Sequence, residues 1–594
     1  MKRRAFLLVS GGAICGVRLL GQASAASAAA VSITAGDVIL RAMRDELERS
    51  RQLSVASGGI DDKPYFIAYS LDDADNFTTG ASFGATTTHS RGRFRSPLIE
   101  VRVGDYDFDN TGHVYSGIYQ GTRFDTAPLP LDNDYQVLRE AFWLGTDYAF
   151  KAAVDSIGRK RAALNTAAAS SDKLSDFARA QPVEYLAAPA KSNVDEAVLT
   201  ARVARLSAIF NNFPSVLASG VELHANEGTS YLVNSEGSNI RYTDNGIWMW
   251  ARAEGQAPDG MLVRQGWMAV AAELSGLPSE AEAAQQLTSV AEHIQALVKA
   301  PAGEQYTGPV LFEPEAGAQL LAQLVGSNVR QVRKPVTDPG RPANFGMSEY
   351  EGRIGLRVLP EIFDVVDDPT LTTWNGSPLM GNYPVDFEGV KPRAVSLIEK
   401  GVLKTYLSTR QPTKNSSASN GHARFPGGFG TRSAAISNLI VKARETTSQQ
   451  ELKARLIQLC KDQDRPYGML IRKLDYPFSA GNAELQALQT TNGRIVSPPV
   501  LAYKVYADGR EQLVRGLRFA GMNWRSLRDI LAASTETAIF SYINNGAPLA
   551  RTGVGGYIAL TSVVAPGLLF DELELERGQD QLEKPAIVPP PNGR

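Results

Sequence analysis

One stretch, residues 305–329, constrains the fold of this chain more than any other, because it predicts a strand that runs directly into a buried helix. Residues 310–312 form a short apolar run of β type. Pro314 suits the first turn of a helix, and the acidic residues beside it complement the positive end of the helix dipole. Apolar residues follow at helical spacing, namely Leu320, Leu321, Leu324 and Val325. A helix entered straight from a strand is a place where a pair of metal-binding histidines could sit on one face.

Residues 320–327, Leu-Leu-Ala-Gln-Leu-Val-Gly-Ser, resemble the metal-binding helix of the TldD/PmbA peptidase family, also called the modulator of DNA gyrase family. Zinc-binding members of that family carry Leu-Leu-His-Glu-x-x-Gly-His there. The resemblance puts Ala322 and Ser327 at the two histidine positions and Gln323 at the glutamate position. A methyl group has no donor atom, an amide does not act as a general base, and a hydroxyl is a poor zinc ligand. We therefore predict no metal ligand, no catalytic residue and no bound cofactor at this helix.

Other segments extend the resemblance from about residue 64 to residue 570. Residues 386–389, Asp-Phe-Glu-Gly, resemble the family's Asp-x-Glu-Gly turn, and residues 419–424 resemble its Ser-Thr-Gly-Asn-x-Arg loop. Residues 521–531 resemble a segment that begins a helix. Zinc-bearing members also supply a cysteine near the C-terminus, and the comparable residues 565–570 contain none.

The resemblance implies an α+β fold. An N-terminal α/β domain is expected at residues 31–300, and a β-rich C-terminal domain at residues 301–575. Residues 576–594 are polar and rich in proline, which predicts a disordered tail. The family relationship also implies paired subunits around a chamber, so we expect a homodimer or a heterodimer with a related chain. The expected ligand is a peptide or an unfolded polypeptide, and nothing in the sequence supports gyrase binding.

Composition excludes some classes of protein. The 594 residues are 43% hydrophobic and 21% charged with a net charge of −2, which argues against a nucleic-acid-binding protein. Residues 1–30 carry a basic start, Lys2-Arg3-Arg4, and a short apolar stretch, which resembles a twin-arginine export signal. We expect a periplasmic or otherwise exported protein with no stable membrane span after signal removal. An uncleaved membrane anchor is the alternative.

Chemistry away from residues 320–327, called the metal helix below after its counterpart in the family, could use one of five histidines: His89, His113, His224, His293 and His422. His422 lies in a glycine-bearing loop, between Asn420 and Arg424. We predict that these three residues bind substrate, because Arg424 could hold a peptide carboxylate and His422 could exchange a proton near neutral pH. The alternative is a turn in which they only support the backbone. Residues 80–84 fit Gly-x-Ser-x-Gly, but no helix pattern follows, as a nucleophile elbow requires.

Three functions remain open on the sequence. The first is a peptide-binding or partner subunit in peptide processing that does not itself cleave. The second is an active peptidase that uses distant residues or a metal held at a subunit interface. The third is a non-enzymatic scaffold of the cell envelope.

Overall fold

A computed structural model of the chain describes residues 36–57, 60–114, 122–124, 129–166, 174–337, 348–426, 432–478, 496–544 and 559–578. The predicted export signal and residues 579–594 of the predicted tail lie outside these ranges. In the described ranges the α-helices are α1 (Val38–Ser50), α2 (Tyr135–Thr166), α3 (Glu196–Ala208), α4 (Glu280–Lys299), α5 (Pro314–Leu321) and α6 (Gln449–Asp462). No helix of the described part has the length and apolar character needed to cross a membrane.

The helices begin where the sequence supplies caps. The Asp37 carboxylate accepts a hydrogen bond from the backbone nitrogen of Leu40 at 3.0 Å, which starts α1. Ser279 and Glu282 form a reciprocal capping box at the start of α4, and Ser448 does the same with Glu451 at α6. These contacts satisfy backbone N–H groups that have no partner within the helix.

The first sheet has eight strands and lies within residues 64–271. Its strands are β1 (Pro64–Ser82), β2 (Ala85–Val103), β3 (Thr122–Phe124), β4 (Glu184–Leu186), β5 (Ala218–Asn234), β6 (Asn239–Thr243), β7 (Gly246–Gln256) and β8 (Leu262–Ala271). The order β8-β7-β5-β1-β2-β3 is antiparallel throughout, and β6 pairs with β5 and with β4.

The second sheet has eleven strands and lies within residues 306–577. Its strands are β9 (Tyr306–Phe312), β10 (Phe363–Asp367), β11 (Val395–Glu399), β12 (Val402–Leu403), β13 (Asn438–Ala443), β14 (Tyr467–Leu474), β15 (Pro499–Tyr506), β16 (Glu511–Val514), β17 (Leu517–Phe519), β18 (Ile530–Asn544) and β19 (Ala559–Arg577). The order is β12-β11-β10-β13-β19-β9-β14-β15-β16, and β17 and β18 also pair with β19. Short strand pairs join Val55–Ser57 to Ile60–Asp62, His113–Val114 to Val336–Thr337, Thr373–Trp374 to Ser377–Pro378, and Ala423–Pro426 to Arg432–Ala434.

These two sheets with their helices confirm the predicted α+β class. The helix expected at residues 521–531 is corrected. A short 3₁₀ helix covers Trp524–Asp529, and Ile530 already begins β18. The apolar residues of this segment, including Leu527 and Ile530, are drawn into the second core, where pairing with β19 favours an extended chain.

Alternation along β1 separates two environments. Ile67, Tyr69 and Leu71 face the core that α1 and α2 cover. Phe66 and Ser70 point to the other face and line a small cavity together with residues of the second half of the chain. Side chains on this second face therefore meet residues of the second half of the chain.

Buried ion pairs join the two halves of the chain. Arg432 donates to Glu100 at 3.0 Å, and Arg410, which is completely buried, donates to Glu236 at 2.7 Å. Pairs removed from water in this way are costly to break, because each would leave an uncompensated charge. They link the first sheet to loops of the second half of the chain beside the small cavity.

Candidate functional site

The helix that follows β9 carries a π-helical turn at Ala322–Gly326, directly after α5 ends at Leu321. Hydrogen bonds in a π turn span five residues, whereas an α-helix repeats every 3.6 residues. The wider turn brings positions 322 and 327 towards one face, which a regular α-helix would separate. The sequence-based expectation of ordinary helical spacing is therefore corrected at these five residues. The backbone therefore keeps the two histidine positions of the resembled family, 322 and 327, near one face, although neither residue here is a histidine.

The side chains at these positions are engaged by the chain itself. Ala322 is 3% exposed and presents only a methyl group. The Gln323 amide donates to the carbonyl oxygen of Gln319 at 3.0 Å and accepts from the backbone nitrogen of Ser497 at 2.9 Å. The Ser327 hydroxyl donates to the carbonyl oxygen of Gln323. These polar groups therefore tie the turn to its surroundings, and a methyl, an amide and a hydroxyl do not form a zinc ligand set.

Strand β19 runs against α5 at close range. A Cβ atom on Gly317 would lie 2.5 Å from the carbonyl oxygen of Pro566, so helix and strand pack backbone to backbone here. This is the stretch where zinc-bearing members of the resembled family supply a cysteine, and Ala565 and Leu568 are fully buried in it. Within the residues that the structure describes, no three His, Cys, Asp or Glu side chains are placed to hold one metal ion.

His422, one of the three predicted substrate-binding residues, is completely buried. Its Nε2 lies 3.0 Å from the Asp367 carboxylate, and its Nδ1 lies 3.0 Å from the side-chain oxygen of Asn420 and 3.1 Å from the carbonyl oxygen of the same residue. Oxygen acceptors on both sides suit a ring that donates from both nitrogens. Both ring nitrogens are therefore engaged by groups of the chain itself.

Asn420 and Arg424 are also held within the fold. The Asn420 side chain accepts from the backbone nitrogen of Ser408 and donates to the carbonyl oxygen of Tyr406, both at 2.9 Å. Arg424 donates to the carbonyl oxygen of Leu560 at 3.1 Å, and its guanidinium stacks 4.5 Å from the centre of the Tyr383 ring. The structure therefore brings the three residues into one region, and their role in substrate binding stays a prediction.

A pair of carboxylates that the sequence analysis did not select faces this region from the first sheet. The Ser230 hydroxyl lies 2.5 Å from Asp72 and 3.2 Å from Asp244. One hydroxyl hydrogen cannot satisfy both carboxylates, so the arrangement favours a proton shared within the pair. Burial and, to a smaller extent, the negative charge of Asp244 raise the pKa of Asp72 to about 7, which the hydrogen bond from Ser230 partly opposes. Burial also raises the pKa of Asp244, which the Ser230 hydroxyl and the positive charge of Arg424 partly oppose.

Only the pairing of strands reveals this carboxylate pair. Asp72 and Ser230 are 158 residues apart in sequence and become direct cross-strand neighbours on β1 and β5. Both residues are half-buried, on the face of the first sheet that meets residues of the second half of the chain. No local motif could have identified them.

Residues 80–84 do not form a nucleophile elbow. Ser82 ends β1, and Phe83 and Gly84, with φ of 50° and 90°, turn the chain directly into β2. A strand-to-strand hairpin does not present the serine at the start of a helix, as the elbow requires. The motif is explained by the turn, where Gly84 tolerates positive φ.

Sequence comparison with known proteins finds metallopeptidase relatives for part of the chain. The sequence profile of the PmbA/TldA metallopeptidase C-terminal domain matches residues 304–577. A metalloprotease of Archaeoglobus fulgidus is 35% identical over 82 residues, and a metalloprotease of Methanocaldococcus jannaschii is 32% identical over 108 residues. These alignments cover 14% and 18% of this chain, and only 18% and 22% of the lengths of those two relatives.

Two solved structures have a similar fold along nearly their whole length. TldE from Thermococcus kodakarensis has a TM-score of 0.54 at 13% identity, covering 90% of this chain and 99% of TldE. A Thermotoga maritima protein described as a candidate modulator of a DNA gyrase has a TM-score of 0.52 at 14% identity, covering 86% and 96% of the two chains. At such identities the likeness concerns the fold alone. Together with the profile match, these findings identify residues 304–577 as a C-terminal domain of the TldD/PmbA family, in which residues 322–327 do not carry the His-Glu-x-x-x-His zinc motif.

Proposed function

We propose that this chain is a peptide-binding or partner subunit in peptide processing, and that it performs no cleavage through the metal helix. The observation that supports this most directly is that residues 322, 323 and 327 offer no zinc ligand and are buried or hydrogen-bonded within the chain. Ala322 is buried, and the polar atoms of Gln323 and Ser327 are hydrogen-bonded within the chain. A zinc ion would find no nitrogen, thiolate or carboxylate ligand on this turn.

The edge of the first sheet offers a way to bind an extended peptide. Strand β8, with ten residues, pairs with β7 and with no other strand of the described residues. An extended peptide can add to such an edge through main-chain hydrogen bonds, which do not depend on a metal.

Metal content and peptide binding together test the proposal. The purified full chain is incubated with zinc, dialysed and analysed by elemental mass spectrometry, and binding of an unstructured basic peptide is followed by fluorescence anisotropy. We expect peptide binding with far less than one zinc per chain. A peptide of the same sequence with N-methylated backbone amides is the matched control and should bind weakly. One zinc per chain together with chelator-sensitive cleavage would overturn the proposal.

An exposed apolar patch on α2 supports a second copy of this chain as the partner. Trp143 and Tyr148 are 49% and 51% exposed, and Val137 and Leu144 lie beside them on the helix surface. The first half of α2 has a net negative charge and the second half a net positive charge, so an antiparallel pairing of two copies is electrostatically favourable. We expect a dimer in light scattering that Trp143→Glu dissociates. A wild-type monomer at micromolar concentration would contradict the pairing.

Export is part of the proposal and is supported by the basic and apolar residues at positions 2–20. Replacement of Arg3 and Arg4 by lysine should retain the protein in the cytoplasm, because twin-arginine signals require both arginines. Fractionation of cells that express the two forms measures this. Equal amounts of both forms outside the cytoplasm would argue against this signal.

A further inference from the structure

A hydroxyl, an imidazole and a carboxylate lie next to one another on the face of the first sheet that meets the second half of the chain. Thr78 Oγ1 is 3.1 Å from His224 Nδ1, and His224 Nε2 is 3.0 Å from the Glu222 carboxylate. Thr78 on β1 and His224 on β5 are direct cross-strand partners, and Glu222 lies two residues before His224 on the same face. All three residues are half-buried, so they are positioned by the fold and still keep some exposure to solvent.

The carboxylate determines which nitrogen of His224 carries the hydrogen. An ionised Glu222 accepts only, so Nε2 must donate to it, and Nδ1 of the neutral ring is left with a lone pair. That lone pair faces the Thr78 hydroxyl, which can donate to it. The arrangement is the reverse of that at His422, whose two nitrogens both face oxygen acceptors.

A neighbouring aromatic ring can also stabilise the charge that develops while His224 takes a proton. The imidazole stacks on the indole of Trp248, with ring centres 4.7 Å apart and an angle of 12° between the planes. The face of an indole attracts a cation, so the stack stabilises an imidazolium that forms when His224 takes a proton. Glu222 contributes in the same direction through its negative charge.

Two further residues, Gly80 and Asn226, lie next to the trio. The Glu222 side chain passes over Gly80, where an added Cβ would lie 3.0 Å from Glu222 Cγ. The side-chain oxygen of Asn226, two residues beyond His224 on β5, is buried and has no hydrogen-bond partner among the described residues. Buried polar atoms are usually paired, so this oxygen suits an N–H group supplied by a bound peptide.

We infer that Thr78, His224 and Glu222 form a metal-free acyl-transfer site for esters or amides of extended peptides. Thr78 Oγ1 forms a bond to the carbonyl carbon while its hydrogen passes to His224 Nδ1. The bond from carbon to the leaving alcohol or amine then breaks, and the leaving group takes that hydrogen. Water attacks the acyl-threonine through the same base, releases the acid and restores the Thr78 hydroxyl. This activity goes beyond peptide binding and uses none of the residues of the metal helix.

The test uses the full chain and p-nitrophenyl acetate, with mass spectrometry to locate any acetyl group. We expect acetylation of Thr78 and release of p-nitrophenol, with the rate reduced about 10²–10⁴-fold in His224→Ala. Thr78→Ala should abolish acetylation at this position, and Thr78→Ser should retain it, which separates loss of the hydroxyl from loss of the fold. Glu222→Gln should lie between wild type and His224→Ala.

Two matched controls are available within the chain. Thr79→Ala removes the same atoms from the next residue, whose side chain is fully buried on the opposite face of the sheet. Thr200→Ala alters a second, exposed trio of the same residue types. In that trio His89 lies 3.3 Å from the Thr200 hydroxyl and 3.1 Å from the Glu196 carboxylate. Both variants should keep wild-type acetylation of Thr78. Absence of acetyl-Thr78 in the folded wild type, or an unchanged rate in His224→Ala, would overturn the inference.

Discussion

Gln323 occupies the position where zinc-bearing relatives place a glutamate, and its replacement measures how firmly the chain itself uses that position. The amide makes two hydrogen bonds, to the carbonyl oxygen of Gln319 and from the backbone nitrogen of Ser497. Gln323→Met keeps a similar volume and removes both. At about 0.5–1.5 kcal/mol for each hydrogen bond, the expected loss of unfolding free energy is about 1–3 kcal/mol.

Gln323→Glu separates the two contacts. An ionised carboxylate still accepts from Ser497, and more strongly than an amide does, but it cannot donate to the Gln319 carbonyl oxygen. Its loss of stability should therefore be smaller than that of Gln323→Met. It should shrink further at acid pH, where a protonated carboxyl group can donate again.

Urea denaturation followed by far-UV circular dichroism provides the measurement. Gln136→Met, at an exposed position of α2, is the control and should stay within about 0.5 kcal/mol of wild type. If Gln323→Met also stays within that range, the amide is not held as described. The proposal that this position is structural rather than a vacant ligand position would then fail.

Three further predictions concern the neighbourhood of the site. Gly317→Ala should lower the free energy of unfolding by about 1–3 kcal/mol, and with it the melting temperature, because the added Cβ would collide with Pro566. Gly158→Ala, on the open surface of α2, is the control and should not lower the melting temperature. Equal melting temperatures for the two variants would contradict the close contact. His422→Ala should cost about 1–3 kcal/mol, because it removes the buried ring that contacts the Asp367 carboxylate and the Asn420 side-chain oxygen, and an unchanged stability in urea denaturation would argue against those contacts. The pKa of Asp72 is raised in the folded state, so its ionisation destabilises the fold. Relative to Asp72→Asn, the wild type should lose up to about 4 kcal/mol of unfolding free energy as pH rises from about 4 to about 7. Parallel curves of unfolding free energy against pH for the two proteins would refute this.

The sequence by itself determined the family, the fold class and the absence of zinc ligands at positions 322, 323 and 327. These follow from local information, because a strand-helix junction, capping residues and the identity of each donor atom can be read along the chain. The start of α4 was likewise predictable from helical periodicity and from the capping box at Ser279.

The tertiary structure alone decided which residues meet. The π turn at Ala322–Gly326 depends on packing around α5, since intrinsic preference gives no reason to widen a helix there. His422 looked accessible in a glycine-bearing loop, and it is buried against Asp367 because β10 passes beside that loop. Thr78 reaches His224 only through the pairing of β1 with β5, two strands separated by more than 130 residues. Sequence distance carries no information about such cross-strand neighbours, because the register of a sheet is set by the packing of its faces.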